Sequence, residues 1–203
     1  MHKKWALFII LFLLVSGFYL AAQEEDTDPY DPLWTDTVRS PYENGDKTFN
    51  INLGVVFPTY FGGSEIENNQ HGLSLGGTLS LSYNYFLTPY IFAGAEAAAM
   101  FSSTRGGNML FMVPFGARIG YQFLYKRFEI PIALMVGAIG QRYLDNGYFG
   151  LIIKPGASAY WRYNPDWSFG LNTSWWFVPQ WPKNGLSAYG NFMELTLSAR
   201  YHF

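Results

Sequence analysis

From Lys47 to Phe203 the chain alternates apolar and small polar residues with a period of two. In KTFNINLGVVFP, Phe49, Ile51, Leu53, Val55 and Phe57 share one face, while Asn50, Asn52 and Gly54 share the other. In GLSLGGTLSLSYNYF, Leu73, Leu75, Leu79, Leu81, Tyr83 and Tyr85 oppose Ser74, Gly76, Thr78, Ser80, Ser82 and Asn84. Successive side chains leave opposite faces of a pleated strand, whereas a helix repeats every 3.6 residues. Segments of the same kind run over 90–101, 109–123, 128–141, 149–163, 167–178 and 187–203. The alanine-rich AGAEAAAM within 90–101 also suits a helix. The connections at 87–89, 124–127 and 164–166 are tight; those at 61–71, 102–108, 144–148 and 179–186 are looser and polar or glycine-rich. An even number of strands, with short turns on one rim and longer loops on the other, predicts an all-β fold. It is an eight-stranded antiparallel up-and-down transmembrane β-barrel over residues 47–203.

A soluble barrel has the same alternation turned inside out, and the supply of charge separates the two. Only 14% of residues are charged, against about 25% in an ordinary soluble domain. Glu96, Arg118, Glu129, Lys154, Arg162, Glu194 and Arg200 are the charges well inside strands on the polar face. Seven charges cannot coat a soluble barrel, but they suffice for a narrow lumen. The opposite face is aliphatic along its middle. Aromatics crowd both ends: Tyr83, Tyr121, Trp161, Trp167 and Tyr201 beside the short turns, Phe57, Phe111, Phe149, Trp175 and Tyr189 beside the long loops. Such rings belong at the two headgroup levels of a bilayer.

The residues before the barrel read as export and spacer. Lys3 and Lys4 precede an uncharged run from Trp5 to Leu20, followed by Ala21 and Ala22. This is the layout of a signal peptide over 1–22, cleaved after Ala22. Residues 23–46 hold eight acids against one base, Arg39, a local charge of −7. With three prolines and no apolar period, this segment is expected to be disordered and periplasmic. Absence of cysteine excludes disulfide scaffolds, thiolate-bound metals and a thiol nucleophile. A net charge of −2 argues against a nucleic-acid partner. No metal-ligand cluster or phosphate cradle is visible, so no cofactor is expected.

The last strand, ELTLSARYHF, ends on an aromatic with Leu195, Leu197, Ala199, Tyr201 and Phe203 at every second position. It resembles the C-terminal insertion signal of bacterial outer-membrane barrels. Residues 47–203 as a whole resemble the eight-stranded outer-membrane superfamily: the OmpA barrel domain, OmpX, OmpW and the opacity-type proteins. The resemblance implies residence in the cell outer membrane, contact with its lipid, and recognition of Leu197, Ala199, Tyr201 and Phe203 by the barrel-assembly machinery. A monomer is expected. The chain ends with the barrel, so a C-terminal peptidoglycan-binding domain of the OmpA kind is not expected. Eight strands return the chain to its starting side, placing both barrel ends in the periplasm.

Three functions remain open. A non-enzymatic barrel would serve a structural or surface role, or admit small solutes by a restricted route, since eight strands enclose only enough room for side chains. Phe92, Tyr160, Trp176 and Phe192 fall on the lumen face and support a filled interior. Passage through the wall would need a break in a ladder, and Pro114, Pro131 and Pro155 are the candidates. The second function is a loop-mediated adhesin or host-factor binder. The third is a membrane-embedded lipid hydrolase or acyltransferase. It would use His71 as base, Ser74 or the Ser102–Ser103 pair as nucleophile, and Glu65 or Glu67 to orient the imidazole. Finally, opposite charges recur at matching heights above the short-turn rim: Glu96 with Arg118, Glu129 with Arg162, and Lys154 with Glu194. These are expected to pair and plug the lumen, because a buried charge is costly without a partner.

Overall fold

A computed structural model describes residues 41–63, 72–104, 106–144, 146–180 and 188–203. Its strands are β1 (Lys47–Gly63), β2 (Leu73–Phe86), β3 (Ile91–Thr104), β4 (Met109–Tyr125), β5 (Phe128–Tyr143), β6 (Asn146–Arg162), β7 (Trp167–Gln180) and β8 (Ala188–His202). Each pairs antiparallel with its neighbour in sequence, and β8 returns to β1, so the eight strands close a barrel. The alanine-rich segment is β3, paired with β2 from Leu73↔Thr104 to Phe86↔Phe92. Helix propensity is overridden there because Ala93, Ala95, Ala97 and Ala99 alternate with inward positions and the backbone is paired to both β2 and β4 over most of its length.

The strands at the long-loop rim extend further than the alternation. β1 runs to Gly63 through a register shift between Pro58 and Tyr60, and β3 runs to Thr104. The loose connection expected at 144–148 is shorter, since Tyr143↔Asn146 is already a pair, and Leu144 takes φ 53°. Side-chain alternation fades in glycine-rich stretches, but the backbone groups must still find partners in a membrane-spanning wall.

The short turns are locally built. Thr88 Oγ1 accepts the amides of Tyr90 at 3.3 Å and Ile91 at 2.9 Å. Asn164 Oδ1 accepts those of Asp166 at 3.0 Å and Trp167 at 2.7 Å. Lys126 takes φ 52° in the β4–β5 turn. These are the side-chain-to-backbone contacts that make Asn, Ser and Thr turn residues.

The outward face is apolar, with Leu53 at 64%, Ile119 at 55% and Leu197 at 71% exposure. In water such a continuous coat is untenable. In hydrocarbon it is the surface a spanning barrel requires, and closure leaves no open edge. Pro114, Pro131 and Pro155 each interrupt one ladder without shifting its register. Pro114 faces a gap in β3–β4 pairing at Ala98 and Ala99, Pro131 one in β5–β6, and Pro155 one in β6–β7. The missing N–H accounts for each gap.

Candidate functional site

Among the described residues, the side chains that face the lumen fall into three layers. At the short-turn rim a residue outside the strands joins the lumen side chains. Tyr42 was expected in a solvated spacer, but it lies inside the barrel mouth at 2% exposure. Its ring stacks on Phe86 at 4.0 Å, and its hydroxyl donates to Glu129 Oε2 at 2.7 Å. The Arg162 guanidinium sits 5.1 Å from its ring centre. Gly45, at φ 104°, turns the chain from this plug into β1, and its amide donates to the Phe86 carbonyl at 2.9 Å.

Around Tyr42, Glu129 is approached by two arginines. Arg200 Nη1 donates to Oε2 at 2.9 Å, and Arg162 Nη1 lies 3.5 Å from Oε1. Arg200 also reaches Asn50 Oδ1 at 3.0 Å and Gln122 Oε1 at 3.1 Å, with its guanidinium 3.9 Å from the Tyr160 ring centre. His202 faces Ser168 Oγ at 2.8 Å and the Tyr42 hydroxyl at 3.2 Å. Burial holds the Tyr42 hydroxyl well above its usual range near 10, and the Glu129 carboxylate pushes it the same way; Arg200 and Arg162 oppose both.

The middle layer is centred on Lys154. Its ammonium lies 2.6 Å from Glu96 Oε1 and 2.7 Å from Glu194 Oε2. Arg118 Nη1 takes the other oxygen of Glu96 at 3.1 Å. Glu194 is further bonded by Thr78 at 3.0 Å, Ser174 at 2.5 Å and Trp176 Nε1 at 3.0 Å. Small polar pairs continue the layer along the wall: Asn50 with Ser82 at 3.0 Å, Asn52 with Ser80 at 2.8 Å, and Ser198 with Asn52. A space of about 20 Å³ beside Glu96, Arg118 and Lys154 has room for roughly one water.

The structure therefore brings together Glu96 with Arg118, Glu129 with Arg162 and Lys154 with Glu194. It adds two contacts that reach across the lumen, Lys154–Glu96 and Arg200–Glu129. Three carboxylates meet four cations. Arg162 Nε and Nη1, Arg118 Nε and Glu129 Oε1 are buried without hydrogen-bond partners, so the network is tight in charge but incomplete in hydrogen bonds.

The third layer is apolar; Trp176 and Phe192 were expected on the lumen face, its methionines and isoleucines were not. Val56, Met100, Met112, Met135, Ile139, Ile152, Trp176, Val178 and Phe192 are all at 2% exposure or less in one cluster in the long-loop half of the lumen. Phe92, Tyr160, Trp176 and Phe192, expected on the lumen face, are all buried there, and the long-loop half adds an apolar cluster around Trp176 and Phe192. Both faces of the strands are apolar at this height, as in LFMV at 110–113, so the period of two that marks the lumen disappears.

Of the hydrolase candidates, His71, Glu65 and Glu67 lie outside the described residues. Ser102 is buried and donates to the Ser74 carbonyl at 2.6 Å. Among the described residues no group of three or more His, Asp or Glu could hold a metal ion. Leu197, Ala199, Tyr201 and Phe203 share the outward face of β8 and its end, with Tyr201 and Phe203 stacked at 5.7 Å.

The chain is similar to an uncharacterized protein of Treponema pallidum (strain Nichols), 33% identical over 140 residues, 64% of each chain. It thus spans less than two thirds of that relative's length. Among solved structures it is similar to Neisserial surface protein A (NspA), with a TM-score of 0.60 and 9% identity over 79% of this chain and 98% of that one. It is also similar to the outer membrane protein OprG from Pseudomonas aeruginosa, with a TM-score of 0.50 and 13% identity over 80% of this chain and 97% of that one. At these identities the likeness is one of fold. A protein-family model matches residues 23–201, and the chain belongs to that family, whose fold here is an eight-stranded β-barrel of the outer-membrane kind.

Proposed function

We propose that this protein is an integral outer-membrane barrel, non-enzymatic and closed to ions, with a structural or surface role. One observation carries the reading: the lumen holds an apolar layer stacked on a charge-paired layer, with Tyr42 across the mouth below. An ion crossing the apolar layer would lose its hydration with no group to replace it. The lipid-facing coat and the aromatic ends support residence in a bilayer. The signal peptide expected over 1–22 would supply export to the outer membrane. Leu197, Ala199, Tyr201 and Phe203 would serve as the mark read by the barrel-assembly machinery, and the inserted protein would be a monomer. Single-channel recording of the purified protein in a planar bilayer tests the closed lumen. A flat trace is expected, and reproducible conductance steps would overturn it.

A second reading, restricted passage of small apolar solutes through the wall, is favoured by one feature. The β6–β7 ladder ends at Ile153↔Phe177, leaving Gly150–Ile152 without ladder partners on β7 among the described residues, beside the apolar layer. A disulfide engineered between residues 151 and 179 would abolish uptake of such a solute if this is the route. Unchanged uptake with the disulfide formed would rule the route out.

A further inference from the structure

The outward face has an interruption in its apolar coat near the β5–β6 turn. The register aligns Phe111, Arg142 and Gly147 in one row across β4, β5 and β6, and Val113, Gly140 and Phe149 in the next. Gly140 and Gly147 present no side chain, so Phe111, Val113 and Phe149 stand around a shallow, open cleft of about 370 Å³. The backbone does not demand glycine at either position. Neither has a positive φ. A Cβ on Gly140 would meet nothing within 4 Å, and one on Gly147 only the Gln141 carbonyl oxygen at 4.0 Å. Gly116 and Gly137, by contrast, lie against the neighbouring strand's backbone. At 140 and 147 glycine supplies space.

Arg142 lines the same cleft, is exposed, and has no ion-pair partner among the described residues. An arginine on a lipid-facing wall is unfavourable unless its charge is met. A phosphate diester meets it well, because the guanidinium fork matches two phosphate oxygens. The aromatic-walled slot beneath offers burial to a hydrocarbon chain. Cation and slot together have the two-part chemistry of one lipid molecule.

We propose that this cleft is a binding site for a single anionic membrane lipid, with its phosphate on Arg142 and an acyl chain over Gly140 between Val113 and Phe149. The proposal rests on the membrane-barrel reading above. The test is native mass spectrometry of the full chain in neutral detergent, titrated with phosphatidylglycerol or with phosphatidylcholine of the same acyl chains. Heat-dependent gel mobility reports folding of every variant. The wild type should retain phosphatidylglycerol about fivefold better, the effect of one basic residue at an anionic surface. R142Q should lose that preference while binding phosphatidylcholine as before, and R142K should keep part of it. G140F should lose retention of both lipids; G147F makes the same test should G140F not fold. An unchanged preference in R142Q, or wild-type retention in both filled variants, overturns the proposal. So does displacement of phosphatidylglycerol by millimolar inorganic phosphate, which would reduce the site to a bare anion contact. A chain that does not enter vesicles at all would instead defeat the membrane reading. A chain that inserts and shows no lipid preference defeats this proposal alone.

Discussion

Lys154 holds two carboxylates that would otherwise repel each other, and it does so with a side chain only 3% exposed. Its removal leaves Glu194 buried without a counter-charge. Lys154→Met should therefore cost about 3–5 kcal/mol, the range for breaking a buried pair. Arg118→Met should cost less, because Glu96 keeps Lys154. Urea unfolding in lipid vesicles checks the order, and an Arg118 variant weaker than the Lys154 variant would contradict it. The Lys154–Glu194 and Glu96–Arg118 contacts were legible in the sequence because an antiparallel register converts sequence distance into height above a rim. The cross-lumen contacts Lys154–Glu96 and Arg200–Glu129 were not, since they depend on how the sheet curls and shears. Tyr42 was illegible for another reason: it lies before the periodic region, so no pattern assigns it a face. Its raised hydroxyl pKa has a consequence that can be measured. Below about pH 10 the phenol is protonated in both folded and unfolded chains, and its contribution is fully present. Above that pH the unfolded chain ionises first, and the contribution falls until the folded value is passed. Tyr42→Phe should thus flatten the alkaline loss of stability relative to the wild type, followed as urea midpoints from pH 8 upward. Parallel curves would show that Tyr42 is not sealed in.

At the scale of the strands, the same alternation that identifies them also sets their limits. Where lumen and lipid faces differ in polarity, as in β2, each residue reports its own direction. Where both are apolar, as in the long-loop half of β4 and β5, strand and lumen assignments fade together, and the methionine-rich layer passes unnoticed. Backbone approach is equally invisible to polarity. Gly116 and Gly137 pair across β4 and β5. A Cβ on Gly137 would come within 2.5 Å of the Gly116 Cα and strike the Phe115 carbonyl oxygen. Gly137→Val should wedge these strands apart and destabilise the barrel by about 1–3 kcal/mol, as overpacking does. Gly140→Val, three residues along the same strand in open space, should fold normally. Equal folded fractions on heat-dependent gels would show that the close approach is not a constraint.

For the molecule as a whole, eight strands put the short turns and the strand ends at Lys47 and His202 on one side. The absence of native cysteine makes the orientation easy to read. Gly106→Cys, in the β3–β4 connection, should react with a membrane-impermeant maleimide on intact cells, and Lys126→Cys, in a short turn, only after permeabilisation. The reverse pattern would invert the barrel. The closing seam between β1 and β8 carries a further consequence, for the order of events during assembly. Its side-chain contacts join residues 146 and 150 positions apart, Ser198 to Asn52 and Arg200 to Asn50. The first strand made is therefore satisfied last. Throughout synthesis and export its far edge stands as an open template, able to accept a strand from another copy. Loop-closure entropy makes so distant a pairing slow. The nascent barrel is a race between its own last strand and its neighbours, and escorting the chain through that interval matters as much to its fate as the stability of the finished wall.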